Sequence, residues 1–149
     1  VNDCYGTYYS RAKAYNAVPD TITWYDSPVT SVKVGDEEKG ALNDLAQFEK
    51  RDKYAGLLWS NNGLTVIKTN NNKNHVDGQT SRVLLIKDSY GNCFAPFLTY
   101  SYDEVWVADL RNMTFQVSQV VSENQFDDVL VLYNFDTFQS DRNVSRIIY

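Results

Sequence analysis

Residues 82–96 read RVLLIKDSYGNCFAP, and the fold turns on this stretch. Val83, Leu84, Leu85 and Ile86 form a continuous apolar run, the mark of a short strand buried on both faces. Asp88 and Ser89 follow at its carboxyl end. Tyr90, Gly91 and Asn92 then lead into Cys93, Phe94, Phe97 and Leu98, apolar at helical spacing. A strand, a tight turn carrying a serine, then a helix can present a nucleophile. The hydroxyl sits at the strand end, near unpaired backbone N–H groups that stabilise an oxyanion. An ordinary helix N-cap is the commoner use of a serine in that place, and these residues alone favour it.

The downstream chain shifts that balance. Residues 104–110 (EVWVADL) and 128–133 (DVLVLY) predict two further apolar strands. Phe115, Val117, Val120 and Val121 between them predict a short helix, closed by Ser122-Glu123-Asn124. Strand–helix–strand–helix–strand is the pattern of a parallel sheet with right-handed crossovers. Ligands of such sheets bind outside the carboxyl ends of the strands. Asp88-Ser89, residues 109–112 and Asn134 stand there, so a hydroxyl, an arginine and an amide converge on one edge. Arg111 reads two ways, as a binder of an anionic sugar or acyl oxygen or as an ion-pair partner of Asp88 or Asp109. Asp88 reads mainly as an acceptor for turn amides. The tail, with Val144, Ile147 and Ile148 at helical spacing, is expected to close the sheet.

The upstream half is expected to elaborate this unit with hairpins. Residues 21–25 (TITWY) and 29–34 (VTSVKV) alternate around Asp26-Ser27-Pro28 and predict one hairpin. Residues 35–40 read as a charged loop; Asp36, Glu37 and Glu38 lack EF-hand spacing. Leu42, Leu45 and Phe48 predict an amphipathic helix within residues 41–54, and an Asn62-Gly63 step predicts a second hairpin joining residues 57–59 to 64–67. Tyr5, Tyr8, Tyr9 and Tyr15 beside Arg11 and Lys13 could stack on sugar, but amphipathic tyrosines at a domain edge are the favoured reading.

At 149 residues the chain is one domain, 1–149, and 43% hydrophobic with 14% aromatic residues marks a folded core. A net charge of −5 argues against non-specific nucleic-acid binding and against attraction to anionic membranes. There is no long apolar segment, and one His with two scattered Cys has no metal-ligand spacing. No cofactor motif is present. Cys4 and Cys93, the latter expected to be buried on its helix, could pair only if the chain is exported. His75 is the sole imidazole, and Asp77 lies two residues on. A Ser89–His75–Asp77 triad is disfavoured, because residues 69–81 read as a mobile polar loop entering the strand from its amino end.

KDSYGNCFAPFL at residues 87–98, EVWVADLR at 104–111 and DDVLVLYN at 127–134 resemble the C-terminal half of the DHHW proteins. That family belongs to the SGNH-hydrolase-like superfamily, which includes alginate acetyltransferases of bacterial envelopes. DCYGTYYSRA at residues 3–12 and KYAGLLWSNNGLTVI at 53–67 fit as well, although the family's Gly-Gly-Asn step is Trp59-Ser60-Asn61 here. The resemblance implies Ser89 as nucleophile. The turn amides of Tyr90 and Gly91, with Asn134, would lie near the oxyanion. Asn61 would donate to substrate, though turn chemistry explains it slightly better, and helix capping explains Asn134 equally well. The family's catalytic Asp and His sit in a DHHW motif that this sequence lacks, which implies that the chain is the C-terminal part of a longer protein.

The expectation is therefore an α/β, SGNH-hydrolase-like (flavodoxin-like) parallel sheet in the C-terminal half and β-hairpin elaborations in the N-terminal half. The expected function is a serine carbohydrate esterase or O-acyltransferase acting on cell-envelope polysaccharide, inert as this isolated chain because its base lies upstream. Its partners would be an acylated polysaccharide or acyl donor and the upstream segment of the parent protein, and its setting the cell envelope or extracellular space. The alternative is a non-catalytic cell-surface module that binds glycan or protein, with tyrosines and Trp59 as contacts.

Overall fold

The computed structural model describes residues 1–6, 9, 12, 16–70 and 78–147. Six strands form one mixed sheet: β1 (Val29–Val34), β2 (Glu37–Lys39), β3 (Leu64–Thr69), β4 (Arg82–Lys87), β5 (Glu104–Ala108) and β6 (Asp128–Leu132), in the order β2-β1-β3-β5-β4-β6. β4 pairs in parallel with β5 on one side and β6 on the other. β3 pairs antiparallel with β5, and β1 with both β3 and β2. Three short helices, α1 (Ala95–Leu98), α2 (Val117–Glu123) and α3 (Phe135–Ser140), belong to the C-terminal half.

The apolar run of β4 is the reason for three layers. Val83 and Leu85 pack with Ala95, Leu98, Val105 and Val107 on one face. Leu84 and Ile86 pack with Ala108, Leu110, Met113, Val117 and Val120 on the other. Each such side chain contributes roughly 1.5–3 kcal/mol by leaving water, so the central strand must be covered on both faces. The parallel C-terminal unit is the one expected.

The N-terminal half departs from expectation in its partners. Residues 21–25 form no strand; Asp20 bridges Cys4, and Ile22 exchanges hydrogen bonds with Val1. Trp24 instead stacks on Phe48, with centroids 4.8 Å apart. β1 finds its hairpin partner in β2, inside the stretch expected to be a charged loop, across Gly35-Asp36, where Gly35 takes a φ of 57°. Residues 41–54 form no continuous helix. Asp44 and Asp52 each cap a separate 3₁₀ segment, Leu45–Glu49 and Lys53–Trp59, the second kinked at Leu57-Leu58, which breaks the helical spacing. Residues 57–59 form no hairpin with β3. At the end of the tail, the 3₁₀ segment Arg142–Ile147 packs Ile147 on the α2 side of the sheet.

Candidate active site

The carboxyl end of β4 places Ser89 where the sequence puts it. Asp88, fully buried, accepts from the amide of Tyr90 (3.0 Å) and from that of Asn134 (2.9 Å), tying the turn to the end of β6. Ser89 opens the 3₁₀ segment Ser89–Asn92 and is half-buried, and Oγ has no hydrogen-bond partner among the described residues. Tyr54 braces the turn by donating its hydroxyl to the Ser89 carbonyl (2.9 Å). Burial, followed by the neighbouring Cys93 thiol, pushes the Tyr54 phenol upward, so it remains a donor.

The expected oxyanion donors divide. The Tyr90 amide is held by the Asp88 carboxylate and that of Gly91 by the Asp88 carbonyl (3.1 Å). The Asn134 side chain caps α3 by accepting from the Asp136 amide (2.9 Å). Arg111 grips Asp109 with both Nε (2.8 Å) and Nη2 (2.6 Å). Asn61, by contrast, meets the serine turn: its Oδ1 accepts from Lys87 Nζ and from Asn92 Nδ2, each at 3.2 Å. Its Nδ2 and the Ser89 amide have no acceptor among the described residues.

An unusual backbone delivers Asn61. Leu58, Trp59 and Ser60 all have positive φ, at 51°, 60° and 77°. Asn62 Nδ2 holds the bend by donating to the carbonyls of Leu58, Trp59 and Ser60. The Leu58 amide donates to Asn43 Oδ1 (3.1 Å), and Trp59 Nε1 to the Ala41 carbonyl (2.9 Å). Trp59 and Ser60, where the resemblance implies glycine, thus take backbone angles at which glycine is the least strained residue. The loop after β5 leaves no room at Gly63, where a Cβ would lie 2.5 Å from the Asn112 carbonyl oxygen.

Sequence reasoning missed the ionic core beneath this turn. Lys87 is 2% exposed and Asp109 fully buried, and Lys87 Nζ donates to Asp109 Oδ2 at 3.2 Å. Burial lowers the Lys87 pKa more than Asp109 restores it. Burial by itself would raise the Asp109 carboxyl; the Arg111 hydrogen bond and the Lys87 charge outweigh it and hold it below the usual range. The available signal was the apolar run itself, which covers β4 on both faces; alternation then puts Lys87 on the side of Val83 and Leu85. Two buried polar atoms near the site, Asn92 Oδ1 and Tyr133 Oη, have no partner among the described residues.

His75 and Asp77 lie outside the described residues. The described flanks of their segment, at Thr69 and residues 78–82, lie at the Glu104 end of the sheet, opposite Ser89. Cys4 and Cys93 are both free thiols, and Cys93 is exposed rather than buried, its Sγ donating to the Tyr90 carbonyl (3.1 Å). Among the described residues no group of side chains is arranged to hold a metal ion, and no helix is long and apolar enough to cross a membrane.

The DHHW protein family model matches residues 2–108. A crystal structure of a DHHW family protein from Eubacterium siraeum superposes with a TM-score of 0.74 at 21% identity, covering 98% of this chain and 50% of that one. Bacillus cereus PatB1 carrying a sulfonyl adduct superposes with a TM-score of 0.62 at 26% identity, over 77% of this chain and 39% of PatB1. A second PatB1 structure gives the same TM-score at 24% identity. This chain thus spans half the length of the Eubacterium protein and less of PatB1. No curated protein matches.

Proposed function

The chain belongs to the DHHW family, and from that premise we propose that it carries the nucleophile and oxyanion half of an acyl-transfer site. Ser89 Oγ attacks the carbonyl carbon of an acyl ester, and the carbonyl oxygen becomes an oxyanion held by the Ser89 amide and Asn61 Nδ2. The hydroxyl proton passes to a histidine of an upstream segment and then to the departing alcohol oxygen. Water or a sugar hydroxyl next takes the acyl group from the serine. Ser89 supports this reading most directly: a hydroxyl with no partner among the described residues, on a turn that Tyr54 braces and that Asn61 meets through Asn92. The substrates we propose are acylated polysaccharide or an acyl donor, in the cell envelope or outside the cell. Arg111 takes no direct part in this reading, since Asp109 already occupies it.

The test is turnover of p-nitrophenyl acetate by this chain, by its Ser89→Ala and His75→Ala variants, and by a longer version that restores the upstream sequence. The sulfonyl adduct on PatB1 commends a sulfonyl fluoride as the parallel probe. Activity only in the longer protein, abolished by Ser89→Ala, is expected. Activity in this chain that disappears with His75→Ala would install the loop triad instead.

A groove of about 310 Å³ lined by Trp24, Tyr25, Lys39 and Asn43, among others, favours a second reading as a glycan-binding module. In that case glycan binding survives Ser89→Ala and is lost with Tyr25→Ala.

A further inference from the structure

We propose that Lys87 is a positioning residue whose ammonium fixes the Asn61 carboxamide with Oδ1 turned inward, so that Nδ2 is the end offered to the acyl oxygen. The inference rests on the acyl-transfer reading of Ser89 and Asn61. Two donors reach Asn61 Oδ1, Lys87 Nζ and Asn92 Nδ2, each at 3.2 Å. They are not equivalent. Two facing carboxamides define no direction, because turning both around restores one hydrogen bond between them. An ammonium has only protons to offer, so the NH₂ end of Asn61 cannot face it. Lys87 alone breaks the tie.

The lysine is built to hold that position. At 2% exposure it has no route to solvent, and its Nζ is anchored on Asp109, which Arg111 in turn grips. Its stem passes directly under the serine turn: a Cβ on Gly91 would lie 2.5 Å from Lys87 Cβ. The charged groups around the ammonium are Asp109, Arg111 and Asp88. Nζ makes no hydrogen bond to Ser89, so the geometry gives Lys87 the orienting role and not that of a base. Were the amide free to turn, its Oδ1 would face the developing oxyanion part of the time and repel it.

The test reads side-chain amides of the ¹⁵N-labelled chain by NMR, with the Asn61 pair identified by its loss in Asn61→Ala. Lys87→Met keeps the stem and removes the ammonium, while Asp109 retains Arg111. The Asn61 pair is expected to shift or split as a second orientation fills, with the backbone amides of β3, β4 and β5 in place. Asn92→Ala is expected to leave the orientation intact. An Asn61 pair unmoved by Lys87→Met, or moved as far by Asn92→Ala, overturns the proposal. Should Lys87→Met fail to fold, the wild-type chain decides: on raising pH, the Asn61 pair must follow the loss of the Lys87 proton, read at Lys87 Cε, and an indifferent pair overturns the proposal. None of these signals needs turnover, so failure of the orientation and failure of the acyl-transfer reading are told apart.

Discussion

Ser60 has φ 77° and ψ −152°, a region that is essentially reserved for glycine. Ser60→Gly is expected to raise stability by about 1–3 kcal/mol, read as a higher urea midpoint with an unchanged slope. The opposite holds at Gly91, where any Cβ collides with the Lys87 stem. Gly91→Ala should cost roughly 1–3 kcal/mol through overpacking and disturb the Asn61 amide as well. Asp109 gives a pH signature. Its folded pKa lies below the unfolded one, so its stabilisation is complete above the unfolded value and is lost as pH falls through the folded value. Asp109→Asn should therefore flatten the acid limb of the stability–pH curve, measured by urea midpoints on the acid side of neutrality. At this scale the sequence was readable where chemistry follows order. A serine after an apolar run announces itself, as does an aspartate that caps its own turn. Lys87 did not, because a lysine at a strand end ordinarily reaches water, and alternation tells only which of the two covered faces it enters.

The elements around β4 were legible because four consecutive apolar residues have one inexpensive fate, burial on both faces. β5, α2 and β6 follow from it by the logic of crossovers. The N-terminal elements were not, since short alternating segments do not encode which segment they pair with. β1 met β2 through the two-residue turn Gly35-Asp36 and β3 from across the two 3₁₀ segments, while Ile22 paired with Val1 and its neighbour Asp20 with Cys4. The Asn62-Gly63 step misled because the preceding left-handed bend replaces the first strand of the expected hairpin. One long-range tie is testable at this scale. Arg146, in the 3₁₀ segment Arg142–Ile147, donates to the carbonyls of Leu110, Met113 and Phe115 and so pins the loop after β5. Arg146→Ala should cost about 1.5–3 kcal/mol, the range for a hydrogen bond to a charged group. Hydrogen exchange should quicken in residues 110–116 before it does in β4.

The sheet ends at β6, which among the described strands pairs only with β4. Val129 and Val131 are 47% and 49% exposed, and Phe135 beyond them 69%. An open edge with apolar side chains is a template for pairing. The chain is accordingly expected to self-associate as concentration rises, and Val131→Lys to return it to monomer in sedimentation velocity. The hydrogen bond between Asp88 and the Asn134 amide spans 46 positions of sequence and fastens the serine turn to the far end of this same strand. Contacts so distant in sequence form late, after loop closure has been overcome. Ser89, the nucleophile of the proposed acyl transfer, is thus timed as well as placed. In a refolding chain Ser89 comes into register only when β6 has docked, so strand formation should run ahead of a poised hydroxyl, and half-folded molecules should carry no misplaced reactivity.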